Sequence, residues 1–195
     1  MRRRNLSTQM KNYITYITQL ANSKSNVEFL NSDEEHALAV LVQIIKSAQS
    51  TLRIFAGALC SPVPSNSEYI SALSDFIEKG GKLVIALNAF SQKEATNSNL
   101  FKRLAYYIEL GKDIHIYNTG AHPYLVSDPL KNEIHFTIGD ECSYRVETDI
   151  VKKTAKCNFN NPEAAANLID FFDKIIANND HSSEITEEVK NLFVD

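Results

Sequence analysis

Apolar positions along the first two thirds of the chain recur at helical spacing, then at strand spacing, then at helical spacing again. Leu6, Met10, Tyr13, Ile14, Ile17 and Leu20 lie on one face of a helix over residues 6–21. Val27–Leu30 reads as a short extended segment. Ser32 or Asp33 is placed to cap a second helix, with Glu34 and Glu35 in its first turn and Leu38, Leu41, Val42, Ile45 and Ala48 as its apolar stripe. A strand with Leu52, Ile54 and Ala56 ends at Gly57. After the turn CSPVPSNS, Asn66 or Ser67 caps a helix bearing Tyr69, Leu73, Phe76 and Ile77, closed by Gly80-Gly81. KLVIALN (82–88) is nearly all apolar, as expected of a parallel strand covered on both faces. The polar stretch SQKEATNSN leads to a helix with Leu100, Leu104, Tyr107 and Ile108, and KDIHIYN (112–118) is the next strand.

This α-β-α-β-α-β order predicts parallel strands joined by helical crossovers, hence an α/β domain. After residue 118 the rhythm changes. A Gly/His/Pro-containing loop is followed by EIHFTIGDECSYRVETD (133–149), which alternates, turns near Gly139, and alternates again. A strand around Lys156–Phe159 comes next, then Pro162 at a first helical position and a last core helix with Leu168, Ile169, Phe172 and Ile175. The fold expected is a mixed β-sheet flanked by helices. Residues 1–26 read as a basic helix or arm, 27–178 as the α/β domain, and 179–195 as a tail with a short amphipathic helix through Ile185, Val189, Leu192 and Phe193.

The hairpin carries the candidate chemistry. With a three-residue loop, Gly139–Glu141, Phe136 opposes Tyr144 and all apolar side chains share one face. The other face then holds His135, Thr137, Ser143, Arg145 and Glu147, with His135 directly opposite Arg145. An imidazole beside a guanidinium suits an anion, since Arg forks onto oxyanions and His attacks or shuttles protons, with Glu147 able to orient either. The plainer alternative is that these residues form the wet face of an antiparallel hairpin. His36, His115, His122 and His181 make no ligand spacing with one another or with cysteine, so no metal or other cofactor is expected. Cys60 lies just past a strand, where an activated thiol would need a base that no sequence neighbour offers.

Composition narrows the partners. The chain has 195 residues, ordinary globular content and a net charge of −4, so no overall field draws it to nucleic acid or anionic membrane. The first 27 residues, however, hold Arg2, Arg3, Arg4, Lys11 and Lys24 and no acid, a formal +5 that leaves −9 for the rest. That start reads as a first helix with a basic tip, the alternatives being a nucleic-acid arm or a transit-like segment. No apolar run approaches the roughly 18 residues of a membrane span. Three widely spaced cysteines, Cys60, Cys142 and Cys157, fit a reducing cytoplasm.

The element order resembles the phospholipase D-like superfamily, including its small single-motif nucleases. The matching stretches are IIKSAQSTLRIFAGAL, ALSDFIEKGGKLVIALN, His135 at the histidine of H-x-K-x-x-x-x-D, KCNFNNP (156–162) with Asn158 at a downstream Asn strand, and NLIDFFDKI in the closing helix. The likeness spans roughly residues 28–178. In that family the histidine is the covalent nucleophile, the lysine binds phosphate and the aspartate sets the histidine. Here Thr137 replaces the lysine and Cys142 the aspartate, with Asp140 two positions early. The resemblance therefore implies a degenerate site, non-catalytic and serving binding or assembly in a homodimer with two His135 side chains brought together. The alternative it leaves is a divergent, metal-independent phosphodiesterase or nuclease using His135, Arg145 as replacement cation and Glu147 as replacement carboxylate. Thr137, Ser143 and Asn158 are the candidate substrate contacts. A phosphate-containing ligand, nucleic acid or a protein are the candidate partners.

Overall fold

The computed structural model describes residues 7–178 and 180–194; Arg2, Arg3 and Arg4 lie outside them. In chain order the elements are α1 (Thr8–Asn22), β1 (Phe29–Asn31), α2 (Glu34–Ser47), β2 (Thr51–Ala56), α3 (Ser67–Glu78), β3 (Lys82–Leu87), α4 (Gln92–Ala95) and α5 (Asn99–Glu109). There follow β4 (Ile114–Thr119), β5 (Phe136–Gly139), β6 (Ser143–Asp149), β7 (Thr154–Asn158), α6 (Pro162–Ala177), β8 (Ser182–Glu184) and α7 (Thr186–Asn191). Caps fix several helix starts. Asp33 Oδ1 accepts the His36 N–H (2.9 Å), Asn66 Oδ1 that of Glu68 (2.8 Å), and Asn161 Oδ1 that of Ala164 (3.1 Å) ahead of Pro162.

The strands form one mixed sheet in the order β1-β7-β6-β5-β2-β3-β4-β8. β2, β3 and β4 are parallel, joined through α3 and through α4–α5, while β5 runs antiparallel to β2 and begins the β5-β6-β7-β1 half. Both faces are covered. On one face Leu52, Ile54, Leu83, Ile85 and Ile116 meet α2, α3 and α5, with α1 and α7 outside. On the other, Phe55, Val84, Phe136, Ile138 and Val146 pack on Ala165, Phe172 and Ile175 of α6. The Phe55 and Phe136 rings stack at 5.4 Å, and Phe172 meets Phe136 edge-on at 6.2 Å. Residues 180–194 lie against this body. β8 pairs with β4 through Thr119–Ser182 and Tyr117–Glu184, and Val189 of α7 is fully buried.

The hairpin departs from expectation in two respects. Its loop is 140–142, with Gly139 opposite Ser143, Ile138 opposite Tyr144, Thr137 opposite Arg145 and Phe136 opposite Val146. The register is thus two residues away from the expected one, and Arg145 does not face His135. Asp140 accounts for this. It adopts a left-handed backbone (φ 52°), its N–H donates to the Thr51 carbonyl (2.7 Å), and its carboxylate accepts the N–H groups of Gln49, Ser50 and Thr51 at 2.8–3.1 Å. The turn is thereby pinned to the start of β2. Nor is the polar face wet. Thr137, Ser143, Arg145 and Glu147 are all buried, because they share the sheet face of Ile54 and Cys157, which α2 covers.

Candidate functional site

His135 is the residue before β5, at the carboxyl ends of the parallel strands, where open α/β sheets form their ligand crevices. Its carbonyl accepts the Glu147 N–H (2.7 Å), so the same backbone ladder that aligns the hairpin sets its side chain against Glu147. Nδ1 lies 3.2 Å from Glu147 Oε2, and Nε2 lies 3.6 Å from Glu133 Oε1. The ring edge rests on Gly57, where a side-chain Cβ would sit 3.5 Å from Cε1. The imidazole is therefore held between two carboxylates.

Beneath it is a nest of buried charge. Arg145 Nε donates to Asn31 Oδ1 (2.8 Å), and Nη2 donates to Glu147 Oε1 and to the Lys153 carbonyl, both at 3.1 Å. Asn31 Nδ2 donates to that same carbonyl, and the Cys157 thiol donates to Asn31 Oδ1 (3.6 Å). Lys153 Nζ stands 4.0 Å from Glu147 Oε1. Burial pushes the Glu147 carboxyl up, but the His135 bond and the charges of Arg145 and Lys153 outweigh it and hold the group below its ordinary 4.5. Burial pushes the Cys157 thiol up to about 12, so it packs as a neutral group.

A second hub lies on the far side of His135. Asn88, just past β3, donates through Nδ2 to Glu133 Oε1 (2.5 Å) and to the Ala121 carbonyl (2.9 Å), while His122 Nδ1 lies 3.0 Å from Glu133 Oε2. Burial raises the Glu133 carboxyl, yet the bonds from Asn88 and His122 prevail and keep it below its usual value. Above the nest opens a cleft of about 780 Å³, walled by Leu59, Val63 and Pro64, with Lys93 and Glu94 among its residues. His135, Thr137, Arg145, Glu147 and Lys153 also line it.

The expected residues divide accordingly. His135, Thr137, Arg145 and Glu147 come together at the cleft. Ser143 turns its hydroxyl onto the Gly139 carbonyl (2.9 Å) at the far end of the hairpin. Asn158 staples the approach to β1, donating to Asn26 Oδ1 (3.0 Å) and accepting the Asn160 N–H (2.8 Å). Cys60 lines the cleft, but burial raises its thiol, so it is not an activated nucleophile. Asn31, Glu133 and Lys153 are not among the residues that the sequence singles out, whereas Asn88 closes the matched stretch ALSDFIEKGGKLVIALN. Glu133 carries a weaker signal, since it precedes His135 by two and so shares its face. Among the described residues no group of three or more His, Cys, Asp or Glu is arranged to hold a metal ion, and no helix is long and apolar enough to cross a membrane.

Neither a family model nor a curated protein matches the sequence. Solved structures match the fold. Nuc from Salmonella typhimurium, a phospholipase D family member, superposes with a TM-score of 0.53 at 14% identity, covering 81% of this chain and 98% of its own. The fold is phospholipase D-like. Two further structures have the same TM-score of 0.54. The phosphatidylserine synthase of Haemophilus influenzae, 11% identical, covers 97% of this chain, which spans 52% of the synthase. TrmBL2, an archaeal chromatin protein described with a novel mode of DNA binding, is 12% identical over 87% of this chain and 60% of its own. At these identities the likeness concerns the phospholipase D-like fold, and the chemistry has to be argued from the side chains.

Proposed function

We propose that the chain is a phospholipase D-like module with a degenerate site, acting in binding or assembly as a homodimer and turning over no phosphodiester. The observation that carries this is the pair of carboxylates flanking the imidazole together with the burial of the neighbouring cation. A nucleophilic histidine needs an open nitrogen and positive charge beside the phosphoryl oxygens it attacks. Here His135 Nε2 faces the Glu133 carboxylate, which repels an approaching phosphate. Arg145, expected to replace the missing lysine, is only 4% exposed and bound to Asn31, Glu147 and the Lys153 carbonyl. Thr137, at the lysine position itself, is buried.

Two observations support pairing of copies. The chain matches about half of the phosphatidylserine synthase, the length expected of one of two similar units. The two loops beside His135 expose Val126 (97%), Leu130 (79%) and Val151 (92%), apolar side chains that a second copy would cover. Sedimentation should give twice 21.9 kDa; a monomer at all concentrations would remove the dimer from the reading.

A second reading, a divergent phosphodiesterase or nuclease, is favoured by the 3.2 Å contact between His135 Nδ1 and Glu147, which is how a carboxylate orients a reacting imidazole. Hydrolysis of a generic phosphodiester and of single- and double-stranded DNA and RNA, in EDTA, separates the two. Wild type and His135→Ala are expected to be equally inactive. Metal-independent turnover lost in His135→Ala would overturn the first reading and establish the second.

A further inference from the structure

We propose that Lys153 is the anion contact of the His135 cleft, supplying from the β6–β7 turn the positive charge that Thr137 does not. This rests on reading the chain as a binding module and names the residue through which that site takes its ligand. The first argument is charge balance. The nest contains two cations, Arg145 and Lys153, within 3.1 and 4.0 Å of a single carboxylate, Glu147. Glu147 is thus shared between two cations, while Glu133, the other carboxylate beside His135, stands across the imidazole and is held by Asn88 and His122.

The second argument is access. The side chains of Arg145 and Glu147 are 4% and 7% exposed, whereas that of Lys153 is 24% exposed and lines the cleft. Of the two cations on Glu147, Lys153 is therefore the one that a ligand in the cleft can reach.

The third is that the turn carrying the lysine is fixed. Its backbone is left-handed (φ 59°), a conformation that residues with a side chain rarely adopt. It is fixed there because its carbonyl accepts hydrogen bonds from both Asn31 and Arg145. The same two residues that bury the guanidinium thus hold the turn carrying the ammonium.

The ligand class follows. A lysine binds an oxyanion as a point charge, and the cleft has a volume suited to a small molecule with an apolar part along Leu59, Val63 and Pro64. A phosphate-bearing ligand seated on Lys153 lies on the Glu147 side of the imidazole, away from Nε2, so binding occurs without attack.

The test is titration of the whole chain with inorganic phosphate and with dimethyl phosphate, read from the His135 imidazole signals in 1H–15N spectra. Wild type should show a saturable shift. Lys153→Gln and Lys153→Met should each bind about tenfold more weakly or worse, the loss of a charge-assisted hydrogen bond. Lys153→Arg should bind close to wild type, and Lys46→Gln, in the last turn of α2 and outside the cleft, should change affinity by less than about twofold because a distant exposed charge is screened. Thermal melts of each variant accompany the titrations, and the two uncharged replacements guard against one of them misfolding. No saturable shift in wild type, unchanged affinity in both uncharged variants, or an equal loss in Lys46→Gln would each overturn the assignment. Failure of the non-catalytic reading is distinct: turnover dependent on His135 would end that reading and leave the Lys153 contact standing.

Discussion

Replacing Arg145 by methionine tests whether the buried nest holds the site together. The substitution keeps much of the volume and removes the guanidinium, so the loss is electrostatic rather than a cavity. Three partners each lose a donor: Asn31 Oδ1 one at 2.8 Å, and Glu147 Oε1 and the Lys153 carbonyl one each at 3.1 Å. Glu147 is 5% exposed and cannot recover a water shell. Breaking a buried pair by deleting one member costs about 3–5 kcal/mol. With a urea slope of about 2 kcal/mol/M, the midpoint should fall by roughly 2 M. Glu147→Leu should be destabilising too, since it leaves both cations facing one another. The double variant should be at least about 2 kcal/mol more stable than the sum of the two losses, because neither charge is then left alone. The pH profile supplies an independent sign. Glu147 is held below its ordinary 4.5, so its stabilisation is fully present above that value and is lost as pH falls through the lower folded value. Wild type should lose stability below about pH 4.5 more steeply than Glu147→Gln. An Arg145→Met loss under about 1 kcal/mol, or strict additivity in the double variant, would refute the reasoning.

Two further predictions concern the hairpin that presents His135. Asp140→Ala should destabilise by about 1.5–2 kcal/mol, the lower part of the range for charged hydrogen bonds because the site is partly exposed; Asp140→Asn, which tolerates the left-handed backbone, should lose less, and urea denaturation reads both. Gly139→Ala places a Cβ 2.6 Å from Ser143 Oγ and 3.0 Å from Ile44 Cγ2. It should lower stability by about 1–3 kcal/mol, and by clearly less in a Ser143→Ala background, where the nearest atom is gone. An equal loss in both backgrounds would place the clash elsewhere.

Much of the architecture could be read along the chain because each element advertises itself locally. Asp33, Asn66 and Pro162 mark helix starts, and the five buried residues of Leu83–Leu87 read as a strand covered on both faces. β8 could not be found this way. Its residues, Ser182, Ser183 and Glu184, carry no apolar alternation, and it is a strand because its backbone pairs with the edge of β4. The hairpin shows where periodicity stops being informative. Faces repeat every two residues, so a slip of two changes every cross-strand partner and leaves the apolar pattern untouched. The faces of the hairpin were therefore legible and its register was not; the register depends on Asp140 meeting Gln49, Ser50 and Thr51 some ninety positions away.

The same slip reorganises the chemistry. Opposite His135, Arg145 would have been a cation free to meet an anion; opposite Thr137, it lies one step further into the sheet, under α2, where only a fully bonded guanidinium is tolerated. Glu147 moves up beside the imidazole in exchange. Four of the five residues singled out from alternation thus converge, Ser143 staying at the far end of the hairpin, and their roles change: Arg145 supports Glu147, Glu147 lies against His135, and the cation that lines the cleft beside them is Lys153, in a turn where nothing in the local sequence marks it. On the proposed reading, a histidine with Glu147 against one nitrogen, Glu133 facing the other and Lys153 on the Glu147 side recognises an anion rather than cleaving one.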